Sequence, residues 1–126
     1  METGLTLDIE GETCRVETAR YGGRADGPLA VLLVGATGPY ARLSTYVPES
    51  EGLPRDGFYL KDWAENETAT AAALAGGLLV PLRGVPPARA GHAGLARAYR
   101  LATQSEAALR ARGPDAGSPA DTEAGG

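Results

Sequence analysis

The only lysine and the only tryptophan of the 126-residue chain fall together in F-Y-L-K-D-W-A-E-N-E, Phe58 to Glu67, with Asp62, Glu65 and Glu67 within six positions of Lys61. Carboxylates this close together could act as a general acid and base or hold a divalent cation through oxygen ligands, so a small carboxylate- or metal-dependent enzyme is one reading. The spacing is poor for it. Helical side chains share a face at separations of three or four, and offsets of two and five do not bring all three acids to one side. A local role costs less: Asp62 followed three residues on by Glu65 has the spacing of a capping box, and acids suit the positive end of a helix dipole. The same residues could instead recognise a partner. Trp63 would then be the aromatic anchor, with Tyr59, Lys61, Glu65 and Asn66 around it as a polar and charged rim. The structural alternative is that Trp63 is core and Glu65 only a cap. No catalytic residue, metal ligand or cofactor is assigned.

Cys14 is the sole cysteine, which excludes an intrachain disulfide and a four-cysteine zinc site. As a nucleophile it would need a base, and the sequence offers only His92, flanked by Gly91 and Gly94 in a turn-forming stretch. Cys14 reads as a small hydrophobe on a strand and His92 as a surface residue. The run V-L-L-V-G-A-T-G, Val31 to Gly38, has the opening of a dinucleotide-binding turn. Its context fails, because Ala41 stands where a third glycine belongs, Pro39 follows directly, and residues 41–47 alternate like a strand. A hairpin turn through Thr37, Gly38 and Pro39 accounts for the same residues.

The net charge of −4 has the wrong sign for a general nucleic-acid binder. Its distribution is uneven: Met1 to Glu67 holds 12 acids and 6 bases, whereas Thr68 to Arg112 holds 6 bases and 1 acid. A nucleic-acid module using Arg83, Arg89, Arg97 and Arg100 is therefore a further alternative, provided folding gathers them on one surface.

These candidates must be positioned by short strands. Leu5, Leu7 and Ile9 alternate with polar residues, as do Cys14 to Tyr21, which predicts a hairpin turning at Gly11 and Glu12 and ending at Gly22-Gly23. Leu29 to Val34 is a continuous apolar run expected at the centre of a sheet. Residues 41–47 set Leu43, Thr45 and Val47 against Arg42, Ser44 and Tyr46, closed by Pro48, and Phe58 to Leu60 is a further strand. A helix is predicted over about 63–75, capped by Gly76-Gly77, with Ala69, Ala72 and Ala73 inward and with Trp63 and Leu74 supplying the anchoring. Leu78 to Leu82 contains Pro81 and so belongs at an edge, where sheet pairing could support a homodimer. Leu95 to Leu101 alternates as a strand.

Three blocks, T-G-P-Y-A-R-L-S-T-Y-V-P (Thr37 to Pro48), F-Y-L-K-D-W-A-E-N-E and G-L-L-V (Gly77 to Val80), resemble a bacterial family of small proteins of unknown function found on phages, plasmids and integrated elements. That family has the pattern T-G-E-P-Y-A-T-L-T-V-N-L-P, later F-x-K-D-[YW]-x-E-N-E, then a helix and G-I-V. The likeness covers roughly residues 29–101. Pro39 departs from it, standing where the acid usually sits. The resemblance implies an antiparallel sheet with one helix and a mobile-element origin, and brings no catalytic residues.

The expected fold class is α+β: a small antiparallel, mostly hairpin-built sheet with one helix packed on it. Residues 1–102 form a single domain, and 103–126 a frayed helix or disordered tail. The amino terminus shows no leader-like pattern, no apolar run approaches ~18 residues, and the lone cysteine fits a reducing cytoplasm. The expected function is a non-enzymatic interaction protein, a phage or mobile-element accessory factor binding a host or phage protein, such as a defence component, rather than nucleic acid or membrane.

Overall fold

In the computed structural model, which describes residues 1–91 and 94–112, the chain is built from antiparallel strands and two helices. Strands β1 (Glu2–Ile9), β2 (Glu12–Arg20), β3 (Leu29–Gly35) and β4 (Gly38–Arg42) form one sheet in the order β1-β2-β3-β4. The predicted alternation holds, with Leu5, Leu7, Ile9, Cys14 and Val16 buried on one face. The first turn lies one residue earlier than expected. Glu10 and Gly11 both take left-handed backbone, φ 51° and 86°, and Ile9 pairs with Glu12. This is the twist that joins two right-twisted strands through a two-residue loop. The β3–β4 turn is likewise Ala36-Thr37, with Gly35 paired to Gly38. Across the next pairs, Val34 faces Pro39 and Leu33 faces Ala41, so Tyr40 is the extra residue of a β-bulge.

The predicted strand over 41–47 is two strands in two sheets. Leu43, fully buried, is the crossing point: its N–H donates to the Val31 carbonyl (2.8 Å) and its carbonyl accepts from the Lys61 N–H (2.7 Å). Alternation of side chains records a strand's faces but not which neighbour it bonds to, so the switch left no periodic trace. Beyond it, β5 (Ser44–Thr45) opens a second sheet with β6 (Gly57–Leu60), β7 (Leu79–Pro81) and β10 (Ala98–Leu101), ordered β5-β6-β10-β7. Pro81 sits on the edge strand, as its missing N–H requires. A two-stranded ribbon pairs β8 (Ala88–Arg89) with β9 (Leu95–Ala96).

Every residue of β6 is buried, because the strand serves two cores at once. Phe58 and Leu60 face the main cluster with the first sheet, and Tyr59 faces a smaller one with Val47, Ala88, Ala96 and Ala98. Helix α1 (Glu67–Ala75) follows a 3-10 turn at Ala64–Asn66 and sets Ala69 and Ala73 into the main core. Leu74 is no anchor: it is 46% exposed, because the small residues hold the helix close and turn position 74 to solvent. The helix ends in a Schellman motif, in which Leu78 N–H reaches Ala73 O (3.0 Å), Gly77 N–H reaches Leu74 O (3.2 Å), and Gly77 has φ 72°. The stretch after β10 forms helix α2 (Gln104–Arg112), packed against β1 and started by a true capping box: Glu106 N–H donates to Thr103 Oγ1 and Thr103 N–H to Glu106 Oε1. Of the stretch 103–126 expected as a frayed helix or disordered tail, residues 104–112 are helix α2 and 113–126 lie outside the described residues, as does His92. No helix among the described residues is long and apolar enough to cross a membrane.

Candidate binding groove

The segment from Lys61 to Asn66 runs beside the place where the chain changes sheets. Three bonds fix it there. The Asn66 side-chain amide donates to the carbonyls of Arg42 and Lys61 (3.2 Å to the latter), and the Asn66 backbone carbonyl accepts from Thr70 Oγ1 at 2.9 Å. Between these anchors the backbone turns sharply. Trp63 is extended (φ −129°, ψ 169°), and Ala64 takes left-handed backbone at φ 56°, which costs an L residue about 1–2 kcal/mol.

Here the expected capping box is absent. No side chain caps either helical turn, and Glu65 instead ion-pairs with Lys61, Oε2 to Nζ 2.7 Å. The Lys61 ammonium beside it, together with a backbone N–H, holds the Glu65 carboxyl below the ordinary glutamate range. Glu65 is thus engaged by a lysine four residues back, with Asp62 and Glu67 exposed on either side. No group of three His, Cys, Asp or Glu among the described residues is placed to hold a metal ion.

Of the proposed contact patch, Tyr59 and Asn66 are corrected by their burial, each only 2% exposed. Tyr59 lies in the smaller core with its hydroxyl donating to the Pro86 carbonyl (3.3 Å), and burial pushes that phenol up. Tyr59 stands behind the surface, while Asn66, although buried, lines the floor of the groove described below. Trp63 is half-buried, packed against the smaller core on one side. Lys61 is partly covered and Glu65 exposed.

The remaining three meet residues from β4 and from the stretch just after β5. Tyr40, Arg42 and Tyr46 line, with Lys61, Trp63 and Glu65, a groove of about 630 Å³. The bulge turns Tyr40 outward, and its hydroxyl donates to Glu10 (3.3 Å). Tyr46 is held more firmly. Its hydroxyl donates to Glu51 at 2.6 Å and its ring meets Tyr21 edge-on, centroids 5.4 Å apart. The Glu51 hydrogen bond pushes the Tyr46 phenol up, and partial burial beside Glu10 does the same for Tyr40. Arg42 is exposed and makes no ion pair among the described residues. The arrangement offers three aromatic faces, one cation without a partner and one ion pair on the rim. Such a surface can grip a side chain and exclude water around it.

Tyr40, Arg42 and Tyr46 were missed as site residues because only sheet pairing brings them beside Trp63. A signal existed: the alternation over 41–47 already places Arg42 and Tyr46 on the polar face.

The basic alternative loses a member. Arg100 forms a double bond-pair with Glu106, both contacts 2.9 Å, while Arg83, Arg89 and Arg97 are exposed. Cys14 is fully buried in the main core, and burial, with Glu12 and Asp8 nearby, pushes its thiol up, away from nucleophilic use.

No family model matches the chain, and neither the curated proteins nor the solved structures yield a match.

Proposed function

We propose that this protein is a non-enzymatic interaction module of the accessory kind carried by phages and mobile elements, and that its groove binds a host protein such as a defence component. The observation that supports this reading is the groove itself: Trp63, half-buried, lines it together with Tyr40 and Tyr46, with Arg42 and the Lys61–Glu65 pair at its rim. Half-buried aromatics with one face in a core and one in water are the side chains that most often dominate protein association. The strained Ala64 backbone supports it further, since such outliers persist where surrounding structure fixes them and collect at functional surfaces.

Truncating Trp63 would also open the smaller core, so the decisive variant is Arg42→Glu, which reverses a charge on an exposed edge. Affinity purification of tagged protein from its host should recover a stoichiometric partner. The Arg42→Glu variant, with unchanged melting temperature, should lose it. Capture that is indifferent to Arg42→Glu and to Tyr46→Ser would remove the groove from consideration.

A further inference from the structure

Arg20 ends β2 and Arg55 lies in the loop before β6, 35 positions away, yet the two are interlocked. Arg20 Nη1 donates to the carbonyls of Arg55 (2.7 Å) and Gly27 (3.3 Å), and Arg55 Nη1 donates to the carbonyl of Ala25 (3.0 Å). Each guanidinium is therefore oriented through Nη1 alone. The Nε–Nη2 edge of each, the edge that grips two oxygens of an oxyanion at once, has no protein acceptor among the described residues.

Nor is their charge offset locally. No Asp or Glu of the described residues lies within 4.0 Å of either guanidinium. The two acids nearest in the adjoining hollow, Asp26 and Glu51, both turn to Arg24, at 3.9 and 3.3 Å. Both arginines are thus held by neutral carbonyls and line one hollow, where a dianion would meet both. Beside them opens a hollow of about 500 Å³, walled by Met1, Ala19 and Ala25 as well as by the arginines. This is the size of a small-molecule site. It shares no lining residue with the groove at Trp63.

We propose that Arg20 and Arg55 form a binding site for a phosphate monoester carrying a small apolar body. A phosphate monoester bears about −1.5 to −2 charges at pH 7 and matches two guanidinium groups, which a carboxylate with one charge does not. The alanine-walled hollow takes the apolar part.

Phenyl phosphate and benzoate share a ring and differ in the anion, so together they test the match. Each is titrated into the full chain while the amide and arginine Nε–Hε signals are followed by 15N NMR. Phenyl phosphate should bind saturably in the millimolar range or tighter, at least tenfold more tightly than benzoate, and move the Arg20 and Arg55 Nε–Hε signals. Arg55→Gln, which forfeits one bond to a loop carbonyl, should weaken it tenfold or more. If that variant fails to fold, the arginine signals of the unaltered protein decide. Equal binding of benzoate, shifts that map elsewhere, undiminished affinity in folded Arg55→Gln, or no saturable binding would each overturn the site.

Discussion

Asn66 shows how one nearly buried amide can fix the surface it lines. It is 2% exposed and satisfies the carbonyls of Arg42 and Lys61, the last residue of β4 and the first beyond β6. Replacing it by Ala leaves two carbonyls without their donor. The expected cost is about 2–4 kcal/mol, read from urea denaturation, because unsatisfied buried polar groups forfeit their full desolvation. Asn66→Asp should be worse, since it presents a carboxylate to two carbonyl oxygens. Glu106 gives a second prediction at this scale. The Arg100 guanidinium, the Thr103 N–H and the Thr103 hydroxyl hold its carboxyl at about 2, down from the usual 4.5. A folded value below the unfolded one means its contribution is complete above pH 4.5 and is lost as pH falls through the window toward 2. The docking of α2 should weaken there, visible as faster amide exchange in residues 104–109. In Glu106→Gln that pH dependence should vanish and the weaker docking persist at neutral pH.

Among the elements, α1 makes the sharpest distinctions. Gly77 carries the left-handed residue of the Schellman motif, and Gly77→Ala should cost about 1–2 kcal/mol in thermal or chemical denaturation. Ala73 is fully buried in the main core, so Ala73→Leu should cost about 1–3 kcal/mol by overpacking, whereas Leu74→Ala should stay within about 0.5 kcal/mol. The order of those two effects reverses what side-chain size alone suggests. Much of this architecture was legible. Period-two alternation located β1 and β2, the apolar run located β3, Pro81 located an edge, and Gly76-Gly77 located the helix end, whereas the strand expected over 95–101 is two, β9 in the ribbon and β10 in the second sheet. What escaped was non-local. The first turn slipped by a residue because two left-handed positions can be filled by Glu10-Gly11 as well as by a pair with glycine first. Tyr59 and Asn66 looked like surface residues because their polar tips suggest water, while here a backbone carbonyl or two replace it. The capping box expected at Asp62 and Glu65 gave way to a lysine at helical spacing, and the one that formed, Thr103 to Glu106, was not singled out.

At the level of the whole molecule, the two electrically distinct halves of the sequence meet within one sheet, β5 and β6 of the acidic half beside β10 and β7 of the basic half. Strand β10, from the basic stretch, lies between β6 and β7, and its Arg100 is matched by Glu106, the one acid of that stretch. A uniform basic surface therefore does not follow from the sequence asymmetry. The groove was half legible for the same reason: Lys61, Trp63 and Glu65 are neighbours in the chain, and Tyr40, Arg42 and Tyr46 reach them only through the fold. The crossing at Leu43 has a further result for how the protein comes apart. One residue bonds to Val31 in the first sheet and to Lys61 at the end of the second sheet's β6, so neither sheet can be peeled away while the other stays whole. Denaturation should be a single cooperative event with coincident transitions by fluorescence and circular dichroism. The amides of Leu43 and Lys61 should exchange with solvent only at the rate of global unfolding, among the slowest in the chain. Two sheets thus make one foldon, hinged on a leucine that cannot let go of either.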